Sequence, residues 1–116
     1  MRLILVQLPM FVDDWRRLGL GDEDLRQLER LIMENPKTGA VMSGTGGTRK
    51  VRFAPVGRGK SGAFRVVYGH FPAFSHVYFF LAFGKNEQGN LTNEEKSVCQ
   101  LTMDRISKSL KARQRS

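Results

Sequence analysis

Residues 48–83, TRKVRFAPVGRGKSGAFRVVYGHFPAFSHVYFFLAF, decide the fold. Three runs within it, 48–54, 63–70 and 75–83, are dense in Val, Phe and Tyr, the side chains that suit a pleated surface. The links PVGRGKSG and FPAF are short enough to join antiparallel neighbours. Alternation along the first run puts Lys50 and Arg52 on one face, with Val51 and Phe53 on the other. In the second run Arg65 and Val67 oppose Phe64, Val66 and Tyr68. If the apolar set packs under helices, Lys50, Arg52 and Arg65 collect on the open face. Three like charges on one sheet face repel, so the arrangement costs stability unless an anion offsets it. That cost points to phosphate.

Working outward, residues 2–7 read as a short strand. Residues 9–18 read as a helix with Pro9 in its first turn, where a proline is tolerated. Residues 22–34 form a strongly periodic helix on Leu25, Leu28, Leu31 and Ile32, with Asp22 as its cap, and Asn35-Pro36 ends it. Downstream, Thr92 and Glu95 spell a capping box that starts a helix over about 93–110, with Val98, Leu101 and Ile106 inward. The tail from about residue 108 is basic and expected to fray. One strand, two helices, a group of strands and a last helix predict a single α+β domain over 1–116, its sheet mostly antiparallel. No repeat or domain boundary interrupts it.

The chain has 116 residues, 41% of them apolar, enough for a core without disulfides or a metal. Cys99 is the single cysteine, which excludes an internal disulfide and fits a reducing compartment. The apolar run Leu3 to Val6 is too short for a signal-peptide core or a membrane span, so the expectation is a soluble cytoplasmic protein. Net charge is +8. Residues 35–86 hold Lys37, Arg49, Lys50, Arg52, Arg58, Lys60, Arg65 and Lys85 and no Asp or Glu, the electrostatic footprint of a nucleic-acid binder.

Residues 54–61, APVGRGKS, approach a phosphate-loop pattern, but a strand follows where a helix must open, so nucleotide hydrolysis is excluded. The loop reads instead as a cationic hairpin tip from which Arg58 and Lys60 reach out. His70 and His76 are the only histidines, and nothing in the sequence pairs them as base and acid. No metal site is spelled, because the cysteine is alone and the basic middle lacks carboxylates. Trp15 and Cys99 read as core. Tyr68, Phe71, Phe74, Tyr78 and Phe83 offer rings on which bases would stack, with core packing the default role for most of them.

The runs GTGGTRKVRFAPVGRGKSGAFRVVYG (44–69) and FFLAFGKNEQGNLTNEEK (79–96), with Asn35-Pro36-Lys37-Thr38-Gly39 before them, resemble the RelE superfamily and within it the HigB-like toxins. The family pattern is a glycine turn, an RK-x-R strand, a GRGKSGG loop, an RVIYY strand, a KNE segment and a final helix. The resemblance covers residues 15 to about 105. It implies a compact microbial-ribonuclease-like fold: a curved sheet, helices on one side, the active site on the concave face. It also implies a toxin that cuts messenger RNA on the ribosome without metal or other cofactor, neutralised by a cognate antitoxin of helix-turn-helix type. By position, the resemblance assigns catalysis to Lys50, Arg52, Arg65 and Lys85. Around these, RNA contacts are expected at Arg49, Arg58, Lys60, Tyr68, His70, Phe83 and Asn86. The sequence departs from the pattern where Gly69 replaces the second tyrosine of RVIYY. It departs again where Phe83 brings no hydroxyl, and where Asn86 follows Lys85 in place of arginine. Lys85, Tyr68 and His70 all remain open as the general acid. Relatives of the ParE type, which inhibit DNA gyrase, supply the alternative function, as does a degenerate member that only binds.

Overall fold

The computed structural model describes residues 2–57, 63–84, 87 and 90–115, without the Arg115 side chain. Its elements in order are β1 (Ile4–Gln7), α1 (Pro9–Arg17), α2 (Asp22–Glu34), β2 (Ala40–Val41), β3 (Arg49–Phe53), β4 (Phe64–Phe71), a single 3-10 turn (Pro72–Phe74), β5 (His76–Gly84) and α3 (Asn93–Arg115). The five strands form one sheet in the order β1-β5-β4-β3-β2. The first strand lies parallel to the last, Ile4 facing His76 and Gln7 facing Phe79, and every other pairing is antiparallel. The fold is α+β, as the order of elements predicts.

The core has two layers. Phe11, Trp15, Leu28, Ile32, Val51, Phe53, Val66, Tyr68, Val77, Phe79 and Ala82 pack between the sheet and the helices α1 and α2. The rings of Phe11 and Trp15 stack at 5.1 Å, and Phe11 lies 5.2 Å from Phe79. On the other face, Val67, Phe71, Tyr78, Phe80, Phe83, Cys99, Met103 and Leu110 pack beneath α3. The expectation of helices on one side is therefore corrected: α3 crosses the opposite face. The reason lies in VYFFLAF, residues 77–83. A strand whose residues are apolar at every position, rather than at alternate ones, must be covered on both faces. A bulge contributes as well. Val67 pairs Leu81 while Tyr68 pairs Phe79, so Phe80 is one residue extra in β5 and adds its ring to those of Tyr78 and Phe83 on the α3 side.

Three local readings also change. The cap of α2 is Gly21, whose amide donates to Asp24 Oδ2 at 2.9 Å, so Asp22 already belongs to the first turn. The capping box of α3 is present, with Thr92 N–H donating to Glu95 at 2.8 Å and Glu95 N–H to Thr92 Oγ1 at 3.1 Å. Its inward stripe, however, is Cys99, Met103, Ile106 and Leu110, while Val98 and Leu101 are 56% and 51% exposed. Spacing alone allowed either stripe. Joining Met103 to the core reading of Cys99 selects the observed one. Finally, α3 runs on helical through Arg115, past the end expected near residue 110.

Candidate active site

Register turns the parity argument into geometry. Arg52 on β3 lies directly opposite Arg65 on β4, and Lys50 opposite Val67. On β5, Phe83 lies opposite Arg65 and Leu81 opposite Val67. Val67 and Phe83 belong to the α3-side core, so Lys50, Arg52 and Arg65 all project to that side. Arg52 is exposed; Lys50 and Arg65 are half-buried. Facing residues of an antiparallel pair stand about 5 Å apart, and like charges there destabilise. Among the described residues no carboxylate pairs with any of the three. The helix borders this row of cations: the Cys99 thiol faces the hydroxyl of Thr48, two residues before Lys50 on the same face, and burial pushes that thiol up from its ordinary range. The arrangement can grip an anion over a few ångströms of sheet. It presents several donors, and the two guanidiniums can each form a bidentate contact with phosphate oxygens.

Three residues expected in the RNA site lie elsewhere. Arg49 has the parity of Val51 and Phe53 and projects to the α1–α2 side, where its Nη1 donates to the carbonyls of Gly39 at 2.7 Å and Lys37 at 3.2 Å. Tyr68 is fully buried on that side; its hydroxyl donates to Pro36 O at 2.7 Å and accepts from Gly39 N–H at 2.9 Å. A Cβ on Gly39 would come within 2.9 Å of the Tyr68 ring, so the Asn-Pro-x-x-Gly motif is a socket for this phenol. Burial pushes the phenol pKa up, outweighing the Gly39 hydrogen bond and the Arg49 charge. It can neither stack on a base nor donate a proton to RNA. Tyr68→Phe is expected to lose about 1–3 kcal/mol of stability in chemical denaturation, since it leaves Pro36 O and Gly39 N–H unpaired, and to keep activity.

His70 follows Tyr68 on the same side. Its pKa is lowered first by burial, then by the charges of Arg49 and Lys37. A histidine depressed in the folded state adds stability that is present above its unfolded pKa of about 6.5 and lost as pH falls through the folded value. His70→Gln should therefore flatten the acid side of the stability–pH profile, a difference that melts at a series of pH values would reveal. Phe83 is on the cationic face but buried, so it serves as a floor beside Arg65 and offers almost no ring to a base.

Lys85 and Asn86, with Arg58 and Lys60, lie outside the described residues. The end of that motif is anchored. Glu87 pairs with Arg17 of α1, accepts from Gly84 N–H at 3.0 Å and donates its own N–H to Gly84 O at 3.1 Å. Asp14 Oδ2 takes the Ala82 N–H at 3.0 Å. The Arg17 hydrogen bond holds the Glu87 carboxyl below its usual range. Sequence reasoning missed Asp14 and Arg17 because their partners are about seventy positions away and neither is spaced as part of a motif. Gly69 is explained by packing: a Cβ there would stand 2.5 Å from Met103 Sδ, so α3 occupies the space a side chain would need.

Among the described residues no three His, Cys, Asp or Glu side chains converge as metal ligands, and no helix is long and apolar enough to cross a membrane. A scan against protein-family models finds no match. Among solved structures, a mutant form of the Escherichia coli toxin RelE in its free state is similar over 74% of this chain and 86% of its own, with a TM-score of 0.53 at 20% identity. In fold, the chain is RelE-like, and its mixed five-stranded sheet carries, on the face that α3 borders, a row of cations with no carboxylate partner among the described residues.

Proposed function

We propose that this chain is the toxin of a toxin–antitoxin pair: a cytoplasmic endoribonuclease that needs no metal and cuts messenger RNA on the translating ribosome until a cognate antitoxin, of helix-turn-helix type, binds it. The observation that carries this reading is the cross-strand pair Arg52–Arg65 with Lys50 beside it and no carboxylate partner among the described residues. The RNA 2′-hydroxyl attacks its own 3′-phosphate. The new 2′-O–P bond forms as the P–O5′ bond breaks, leaving a 2′,3′-cyclic phosphate and a 5′-hydroxyl. Negative charge grows on the non-bridging oxygens as this happens, and preorganised guanidiniums at that point lower the barrier. A base must take the 2′-hydroxyl proton and an acid must protonate the leaving oxygen. With Tyr68 and His70 on the other face, Lys50 and Lys85 are the side chains left for proton transfer. The ribosome would supply the in-line placement of the message.

One observation favours a second reading, a ParE-like or binding-only member: neither tyrosine offers an accessible phenol beside the cations, since Tyr68 and Tyr78 are both buried. Primer extension on a message translated during induction separates the two. Stops within codons are expected. An intact message with DNA-damage signalling would favour gyrase inhibition.

A further inference from the structure

The outer face of the last three turns of α3 packs on no other element of the fold. The helix is held to the sheet by Cys99, Met103, Ile106 and Leu110, and after Leu110 residues 111–114 are all exposed. From Arg105 onward the chain carries Arg105, Lys108, Lys111, Arg113 and Arg115 and no Asp or Glu. Arg105, Lys108 and Lys111 are exposed and three residues apart, on the side of the helix turned away from the sheet. Lys108 also meets Asp104 at 3.2 Å, an open pair that contributes little.

Cations at a helix C-terminus are favourable against the macrodipole, but that effect is spent within the last turn. Here the charge begins at Arg105, more than two turns before the end, and like charges at three- and four-residue spacing destabilise a helix. The stripe therefore has an unmet electrostatic cost, as the sheet cations do. Between Arg105 and Lys111 it carries no apolar face for a bilayer, because Ile106 and Leu110 are turned to the sheet.

We propose that the outer face of α3 from Arg105 to Lys111 is a second contact for the RNA backbone, remote from the phosphate being cut. Cys99 abuts Thr48 near Lys50, and Lys111 lies twelve residues further along the helix, about 18 Å away. No single phosphodiester reaches both sites, so the stripe grips a distal stretch of the same RNA and adds affinity without entering the chemistry. The proposal rests on the RNA reading above.

The test is the salt dependence of binding to a fluorescently labelled, unstructured single-stranded RNA, measured with the full-length protein. Arg105→Gln/Lys108→Gln/Lys111→Gln changes only exposed positions. It should lower the magnitude of the log K against log salt slope by about 2, from about 0.7 per lost phosphate contact. The single-turnover cleavage rate of ribosome-bound message, at saturating ribosomes, should stay unchanged. Asp104→Asn, which releases Lys108, should tighten binding. An Arg52→Gln/Arg65→Gln variant serves as the reference. If it weakens binding while the helix triple does not, the helix contact is overturned and the sheet site stands. If only the triple weakens binding, the helix contact stands and the sheet site falls. If the triple binds RNA normally but loses a co-expressed antitoxin, the stripe is a protein-docking face and the proposal is overturned.

Discussion

Arg65→Ala is expected to lower message cleavage by about 10²–10³-fold, the loss found when one preorganised donor to a developing oxyanion is removed. The residue stands between Arg52 on one side and Phe83 on the other, half-buried and with no acidic partner among the described residues. Among the described residues its charge therefore supports no ion pair, and removing it relieves repulsion with Arg52. The melting temperature should hold or rise slightly while growth arrest disappears. Arg65→Lys should restore only part of the activity, because an ammonium cannot make the bidentate contact of a guanidinium. Single-turnover cleavage together with a thermal melt checks both halves. Undiminished cleavage by Arg65→Ala, at wild-type stability, would remove the residue from the site.

Gly69→Tyr, which rebuilds the tyrosine of the family pattern, should destabilise the protein by about 3 kcal/mol rather than improve it. Already a Cβ at this position meets Met103 Sδ at 2.5 Å and the rings of Phe71 and Phe80 at 3.2 and 3.3 Å. Met103 can bend away from a methyl group, but a phenol must lift α3 off the sheet. The expected signs are a lower denaturation midpoint and faster alkylation of Cys99, which is buried under that helix in the wild type. Gly69→Tyr with Met103→Ala makes room for the ring and should recover part of the loss. If the single substitution is neutral and Cys99 stays protected, the helix is not seated on Gly69.

Much of the fold was legible because local signals agreed with tertiary packing. Pro9, the Leu28–Ile32 stripe, the Thr92–Glu95 box and the strand parity at Lys50, Arg52 and Arg65 are each set by residues within one turn or one pleat. What failed needed knowledge of the far side of the sheet. Arg49, Tyr68 and His70 read as site residues because they neighbour the cationic row in sequence, yet the pleat sends them to the α1–α2 face. Parity alone already placed Tyr68 with Val66, so that signal was present and was overridden by the motif. The position of α3 was written in the unbroken apolar run of β5. The Arg17–Glu87 pair joins residues whose meeting depends on the whole path of the chain, and no local pattern announces it.

The chemistry of the cut ends gives the most direct test. Message isolated after induction can be treated with a kinase that labels only free 5′-hydroxyls, and its upstream fragments assayed for 2′,3′-cyclic phosphate. Cuts bearing both ends, absent with Arg52→Ala/Arg65→Ala, are the predicted result. Uncut message, ends bearing a 5′-phosphate, or cutting that survives loss of both arginines would contradict a phosphate gripped on this face of the sheet.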